Sequence, residues 1–537
     1  MTPPVRTSPL TGTRPLLKVS LHQDARLIAP WVVLISVLSA SSILAYAWVF
    51  PDADDRRALA ATLGANPALS LVFGPARDLS IADGFNAWRA GQLGAFFAGL
   101  MAILIVVRNS RANEDSGQAE LIASGVIARH SRLAVAVFMA AIAAVALGVF
   151  CFVVTVLCGG GVTPTLILSA TFTASALMFA GVAAVTSQLA SEARAASSMA
   201  VGTLGVCYVL RGYIDSSDYP DWVTWLTPLG WLEETRPATE NDPWPLLLAL
   251  AFAILLVLAA FALQGHRDFG QGMVATRPGR ARAGLSGNAW GLAFRLHRGL
   301  LAAWLVGFAG LGLLFGNIAG SIGELIAENP AIGAVLAASG GSSLTFAFVS
   351  TILQIIAIIA AAMGVQIVLR IHAEEMDVRV DPLLATALRR PTYLATNALV
   401  AFGATAVGML VAGIALTLVA WLQDNDGSFS LVEGIGQAIV TIPGVWVLVA
   451  LAIAVVGAAP AKRLAAWAGV ILTFGLTILG PTFNLWDWVL DISPLRHLPN
   501  VSSLSPEWSG LLSLAGFIVV FTTIGFAGFR RRDIART

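Results

Sequence analysis

Charged residues in this sequence are confined to short intervals, and the apolar stretches between them have a common length. Between Arg132 and Glu192 no Asp, Glu, Lys or Arg occurs. A bilayer core about 30 Å thick is crossed by roughly 20 apolar helical residues, so this stretch holds two crossings. The turn residues Gly159-Gly160-Gly161-Val162-Thr163-Pro164 divide it into a hairpin. The same measure along the chain predicts an all-α polytopic membrane protein with about twelve transmembrane helices. In the first half they fall at about 28–50, 91–107, 133–157, 162–189, 197–213 and 245–264. In the second they fall at about 299–320, 344–369, 395–421, 434–458, 464–480 and 509–529. The spans 91–107 and 197–213 are short, and their flanking Arg108 and Arg211 are expected to snorkel to the interface.

Basic residues orient the helices. With the N-terminus in the cytoplasm, 25 of the 32 Lys and Arg fall on the cytoplasmic side and 7 outside, as the positive-inside rule requires. Arg267, Arg277, Arg280, Arg282, Arg295 and Arg298 crowd the central loop, and Arg530, Arg531, Arg532 and Arg536 crowd the C-terminal tail. Outside segments carry acids such as Glu233, Glu234, Glu240 and Asp242. Nearly all tryptophans, Trp446 excepted, lie near a helix end or in an outside loop. Both termini are therefore expected in the cytoplasm.

The pattern repeats. Glu114, Glu120 and Arg129 follow the second span, and Glu375, Asp381 and Arg390 follow the eighth, at a constant offset of 261. Asp221-Trp222-Val223 before Pro228-Leu229 matches Asp487-Trp488-Val489 before Pro494-Leu495 at offset 266. His266-Arg267-Asp268 and Arg531-Arg532-Asp533 close the two halves. Six spans per half is even, so the halves are expected to run parallel about an axis along the membrane normal. Such internal symmetry is typical of transporters, with the substrate path between the repeats. Each half also opens on a basic amphipathic stretch. Lys18, His22 and Arg26 lie opposite Leu17, Leu21 and Ile28, and Arg295 and Arg298 lie opposite Phe294, His297 and Leu301. Such helices rest on the membrane surface as elbows. The organisation expected is a cytoplasmic N-terminus with an elbow helix (1–27), a first six-helix repeat (28–264), a basic linker with a second elbow (265–298), a second repeat (299–529) and a tail (530–537).

Composition supports this and narrows the function. The chain is 57% hydrophobic and 12% charged, against about 25% charged in soluble domains. Its formal net charge of +1 gives no case for nucleic-acid binding. Cys151, Cys158 and Cys207 lie in apolar runs without metal-ligand spacing. Neither lysine, Lys18 or Lys462, stands in a G-x-x-x-x-G-K-[ST] phosphate loop, so ATP is not hydrolysed by a P-loop of this chain. Helix interiors hold almost no ionisable residues, which ion-coupled carriers usually place there. Their polar residues, among them Asn317, Gln188, Gln354 and Gln366, suit helix packing. No catalytic grouping or metal cluster emerges. An engine supplied by a partner remains, and the cytoplasmic loops 108–132 and 370–394 offer it a seat. Each sets two acids and an arginine around an apolar stretch, Leu121-Ile122-Ala123 and Leu383-Leu384-Ala385. The candidate coupling residues are Glu114, Glu120, Leu121, Arg129, Glu375, Asp381, Leu383 and Arg390.

The stretch from Arg111-Ala112-Asn113-Glu114 through Glu120-Leu121-Ile122 to Arg129 resembles permeases of actinobacterial ABC exporters, the group similar to tetronasin-resistance and polyketide-antibiotic exporters. Trp225-Leu226-Thr227-Pro228-Leu229-Gly230-Trp231 and Arg267-Asp268-Phe269-Gly270-Gln271-Gly272 are similar to the same family. The chain departs from it at Gln118, where a basic residue is expected, and carries Val378 where the first loop has Gly117. The resemblance implies a fused permease in the bacterial plasma membrane that is not itself an enzyme and binds no cofactor. It works with two copies of an ATP-binding subunit, which hold ATP and magnesium, and exports amphipathic drugs or antibiotics. It also implies that the second and fifth spans of each half line the path. Candidates there are Phe96, Phe97, Met101, Tyr208, Phe346, Gln354 and Phe474. The outside stretches 214–244 and 481–508 are either surface loops or segments that re-enter the membrane as lids. Two other readings stay open, a proton-coupled secondary carrier and a lipid-phase enzyme or assembly protein.

Overall fold

The computed structural model describes residues 11–49, 67–117, 128, 130–215, 219–267, 271–274, 287–320, 344–386, 388–424, 429–479, 486–503 and 506–533. The described residues form helices and turns with no strand, and eleven helices are long and apolar enough to cross a membrane. The chain is thus a multi-pass, all-α membrane protein. It divides into two compact units, Met1–Pro278 and Gly279–Thr537.

In the first unit the helices are α1 (Thr13–Val49), α2 (Pro67–Phe73), α3 (Ala82–Val107), α4 (Ser131–Leu157), α5 (Val162–Leu189), α6 (Ala193–Asp215), α7 (Pro228–Glu233) and α8 (Trp244–Gly265). In the second they are α9 (Ala289–Gly320), α10 (Leu344–Met376), α11 (Val380–Leu384), α12 (Arg390–Gln423), α13 (Leu431–Ala458), α14 (Leu464–Phe474), α15 (Asp487–Leu490) and α16 (Ser509–Arg531). The packing repeats. Helix α1 lies on α4 as α9 lies on α12, α3 on α5 as α10 on α13, and α5 on α8 as α13 on α16. The most buried helices are α3 and α5 in one unit and α10 and α13 in the other. The outer helices turn residues such as Val145, Val149, Leu255, Leu512 and Val519 outward, where lipid replaces water and exposed leucine or valine carries no penalty.

Inside the units, polar side chains act as fasteners. Asn86 Nδ2 and Thr155 Oγ1 both donate to Ser39 Oγ, each at 3.0 Å, joining α3, α4 and α1. Trp446, within α13, donates its Nε1 to the Phe402 carbonyl at 3.1 Å. Helices α13 and α16 meet backbone to backbone: a Cβ on Gly457 would collide with the Gly525 carbonyl, and one on Gly525 with that of Ile453. Only glycine permits that approach.

Two expectations change. The two amphipathic stretches are not separate elbows, because α1 and α9 each run unbroken from them into the span. Helix α1 has 37 residues, about 55 Å at 1.5 Å per residue, so it outreaches the hydrocarbon by several turns, and Pro30 within it deletes one backbone hydrogen bond without ending it. The span predicted at 464–480 is helical along its described length, with α14 passing at Gly475 into a five-residue π-helical turn, Gly475–Leu479. Arg211 does not snorkel. Its side chain is fully buried, because the α2 segment folds onto α6 and presents it the carbonyls of Leu71 and Val72 at 3.2 and 3.3 Å.

Candidate functional site

Helix α3 does not stop at its last apolar residue. It passes through a π-helical turn, Arg108–Ala112, and ends at Asn113–Asp115. Such turns widen a helix locally and rotate the residues beyond them. Here the turn carries Arg111 into the unit, fully buried, and sets Glu114 beside it, 2.7 Å from its guanidinium. Glu114 also receives two hydrogen bonds from Arg267 Nη2, at 2.7 and 2.9 Å. Arg267, which follows α8, donates through Nε to Gln188 Oε1 at the end of α5 at 2.8 Å. Arg111 donates to the Ser191 carbonyl just beyond α5 at 2.6 Å. One carboxylate thereby locks together the ends of α3, α5 and α8.

The second unit builds the same clasp. Glu375, near the end of α10, accepts from Arg532 Nη2 at 2.7 and 2.9 Å. Arg532, just past α16, donates Nε to the Gly457 carbonyl and Nη2 to that of Val456, at 3.0 and 3.2 Å. Those carbonyls are among the unpaired ones at the end of α13, where a cation is favoured by the helix dipole. The Arg532 guanidinium also lies over the Phe529 ring. Arg390, the first residue of α12, donates to the Arg532 carbonyl at 2.9 Å. Sequence reasoning found both duplicated features, the acids at offset 261 and the terminal basic motifs, but did not join them. Residues Glu114 and Arg267 lie 153 positions apart and Glu375 and Arg532 lie 157 apart.

Of the other coupling candidates, Glu120, Leu121 and Arg129 lie outside the described residues. Asp381 stands in the first turn of α11, the short helix in the second loop, and Leu383 packs from it against the unit's core. The loops leave their helices alike. Gly117 has φ +75° and Val378 has φ +57°, so both loops turn off through a left-handed residue at the same repeat position.

Among the path candidates, Phe96 sits edge-on to Phe97 and to Tyr208, with centroids 5.7 and 5.0 Å apart, and so joins α3 to α6. Tyr208 donates its hydroxyl to the Val72 carbonyl at 2.5 Å. Met101 and Phe346 are fully buried in the cores of their own units. Phe474 is exposed on α14. Gln354 lines a cavity of about 310 Å³ in the second unit with Gln437, Thr477, Ser493 and Asn500. The corresponding place in the first unit, beside Gln92 and Thr171, retains about 50 Å³.

The segment between α6 and α8 folds as a 3₁₀ turn, Asp221–Leu226, and α7, which buries Leu229, Gly230 and Leu232 while Trp222 and Trp225 stay exposed. It closes over an ionic cluster that sequence reasoning missed. Arg211 pairs with Asp215 at 2.7 Å, and Arg77 reaches Glu233 and Glu234 at 3.6 and 3.0 Å. Burial, reinforced by the Asp215 carboxylate, pushes the Glu233 carboxyl well above its ordinary range despite Arg211 and Arg77. Among the described residues no group of three or more His, Cys, Asp or Glu could hold a metal ion.

A family model described as "Multidrug efflux system permease Rv1217c, C-terminal domain" matches residues 43–264 and 287–530, one stretch in each half. The chain is 34% identical to the multidrug efflux system permease protein Rv1217c of Mycobacterium tuberculosis (strain ATCC 25618 / H37Rv), over 99% of this chain and 97% of that protein. With its helix-for-helix duplication, its repeated clasp and a match along nearly its whole length, the chain belongs to this family of multidrug efflux permeases.

Proposed function

We propose that this chain is the membrane subunit of an ATP-driven exporter of amphipathic drugs or antibiotics, with both termini in the cytoplasm, energised by two copies of a separate ATP-binding subunit. The observation that carries the reading is the clasp built once per half at the root of each long loop. Closure of the ATP-binding dimer pushes on the loops that follow Glu114 and Glu375. Each clasp makes three helix ends move as one piece, so a push on a loop becomes a tilt of the helices. The path then opens outward and releases an amphipathic molecule. A relative that is a multidrug efflux system permease supports the cargo class, and soft or aromatic side chains on the second and fifth spans would tolerate varied ligands.

Gentle purification from native membranes tests it. A soluble ATP-binding protein is expected at two per chain, with ATPase activity that responds to amphipathic drugs. A chain that purifies alone and transports in vesicles only on a proton gradient overturns the reading in favour of a secondary carrier.

A further inference from the structure

Helices α1 and α6 both pack on α3, and between them a cavity of about 440 Å³ lies at the end of the first unit where α3 reaches Arg108. Its walls are apolar: Leu27, Ile28 and Trp31 from α1, Leu104 and Ile105 from α3. Leu27 and Leu104 are 48% and 41% exposed, so the cleft is open to an acyl chain. Its charged groups are Asp24, Arg108 and Arg194. The Asp24 carboxylate is already satisfied, accepting from Asn109 Nδ2 at 2.8 Å and facing Arg108 Nε at 3.2 Å. That leaves the terminal nitrogens of Arg108 without a partner among the described residues, and the whole Arg194 guanidinium likewise. The site therefore carries one net positive charge and two open guanidinium faces above an apolar cleft.

We infer that this cleft holds one anionic membrane phospholipid, its phosphate between Arg108 and Arg194 and an acyl chain against Trp31 and Leu104. Depth supports the choice of occupant. Arg108 is the first charged residue after the apolar run Leu93–Val107, the level at which headgroup phosphates lie, and basic pockets between spanning helices select anionic headgroups. Guanidinium groups suit phosphate through paired hydrogen bonds. The site is single. At the repeat offset Arg108 becomes Leu369, and the neighbouring Arg370 is engaged by Glu374 and the Leu296 carbonyl.

Native mass spectrometry and thermal unfolding of the full chain in a neutral maltoside detergent test this, with phosphatidylglycerol and phosphatidylcholine of matched acyl chains as probes. Phosphatidylglycerol is expected to bind one per chain and raise the melting temperature, and phosphatidylcholine to do neither. Arg194→Gln, which breaks no hydrogen bond or ion pair among the described residues, should weaken phosphatidylglycerol about tenfold. Leu104→Trp, which fills the cleft and leaves the charges, should abolish binding; should that variant not fold, Arg194→Gln decides alone. Equal binding of the two lipids, or undiminished binding in Arg194→Gln, overturns the inference. An alkyl carboxylate that binds there and is not displaced by phosphatidylglycerol also overturns it, and makes the cleft a place for cargo instead.

Discussion

Val378 is a β-branched residue at φ +57°, a conformation that costs an L-residue about 1–2 kcal/mol and that glycine adopts freely. Its repeat partner, Gly117, has no such cost. Val378→Gly should therefore stabilise the chain by about 0.5–1 kcal/mol, the strain relieved less the entropy glycine loses on folding. Gly117→Val should destabilise it by about 1–2 kcal/mol. Thermal unfolding of both variants in detergent checks the pair, and a lower melting temperature for Val378→Gly would show that its isopropyl group makes a contact worth more than the strain. Glu233 sets a second residue-scale expectation. Burial, with the Asp215 carboxylate beside it, favours the neutral carboxyl against the opposing pull of Arg211 and Arg77. The folded chain then keeps this proton to a higher pH than the unfolded chain does. Between the ordinary carboxylate range and the elevated one the folded state binds more protons, so stability falls as pH rises. The contribution is complete below the ordinary range and lost on passing through the elevated one. Glu233→Gln mimics the protonated form at every pH. The melting temperature of the variant should fall less than that of the natural chain between about pH 5 and pH 8; identical slopes would remove Glu233 from the titration.

The clasp belongs to the scale of elements, because each one joins three helix ends that no local sequence signal relates. Its two copies are built with different redundancy. Glu114 has two arginines, Arg111 and Arg267. Glu375 has Arg532 at 2.7 Å, with His372 at 3.9 Å as its next basic neighbour. Leaving a buried charge without its partner costs about 3–5 kcal/mol. Arg532→Leu should approach that figure, since it also frees the carbonyls of Val456 and Gly457. Arg267→Leu should cost about half as much, because Arg111 still holds Glu114. Replacing both members, Glu375→Leu with Arg532→Leu, should recover part of the loss, as exchange of a whole buried pair for apolar groups often does. A double-mutant cycle read by thermal unfolding measures this. Equal losses for Arg267→Leu and Arg532→Leu would show that Arg111 does not share the load in the first clasp.

At the scale of the molecule, the distances between charges made eleven crossings legible, because a charge in hydrocarbon is costly and the chain avoids it. The same rule misjudged Arg211, since it treats an arginine near a helix end as bound for water. Only the fold reveals that Leu71, Val72 and Asp215 gather around it. Duplication was legible from Glu114 and Glu375, whose constant offset survives because each meets the same kind of partner. The partners were not legible, since an ion pair 153 residues apart leaves no periodicity. In the proposed exporter the clasps transmit and the loops beyond them receive, and the two roles separate experimentally. Glu120 and Asp381 belong to the loops; the clasps are made by Glu114 and Glu375. Glu120→Gln combined with Asp381→Asn should leave the unfolding free energy of the isolated chain within about 1 kcal/mol of the natural one. In the complete transporter it should reduce drug export per ATP hydrolysed by at least about tenfold, equivalent to roughly 1.4 kcal/mol of lost coupling. Glu375→Gln should instead lower stability and export together. Export at the natural ratio in the loop variant would take the loops out of the transmission and leave the clasps as fasteners of the helix ends alone.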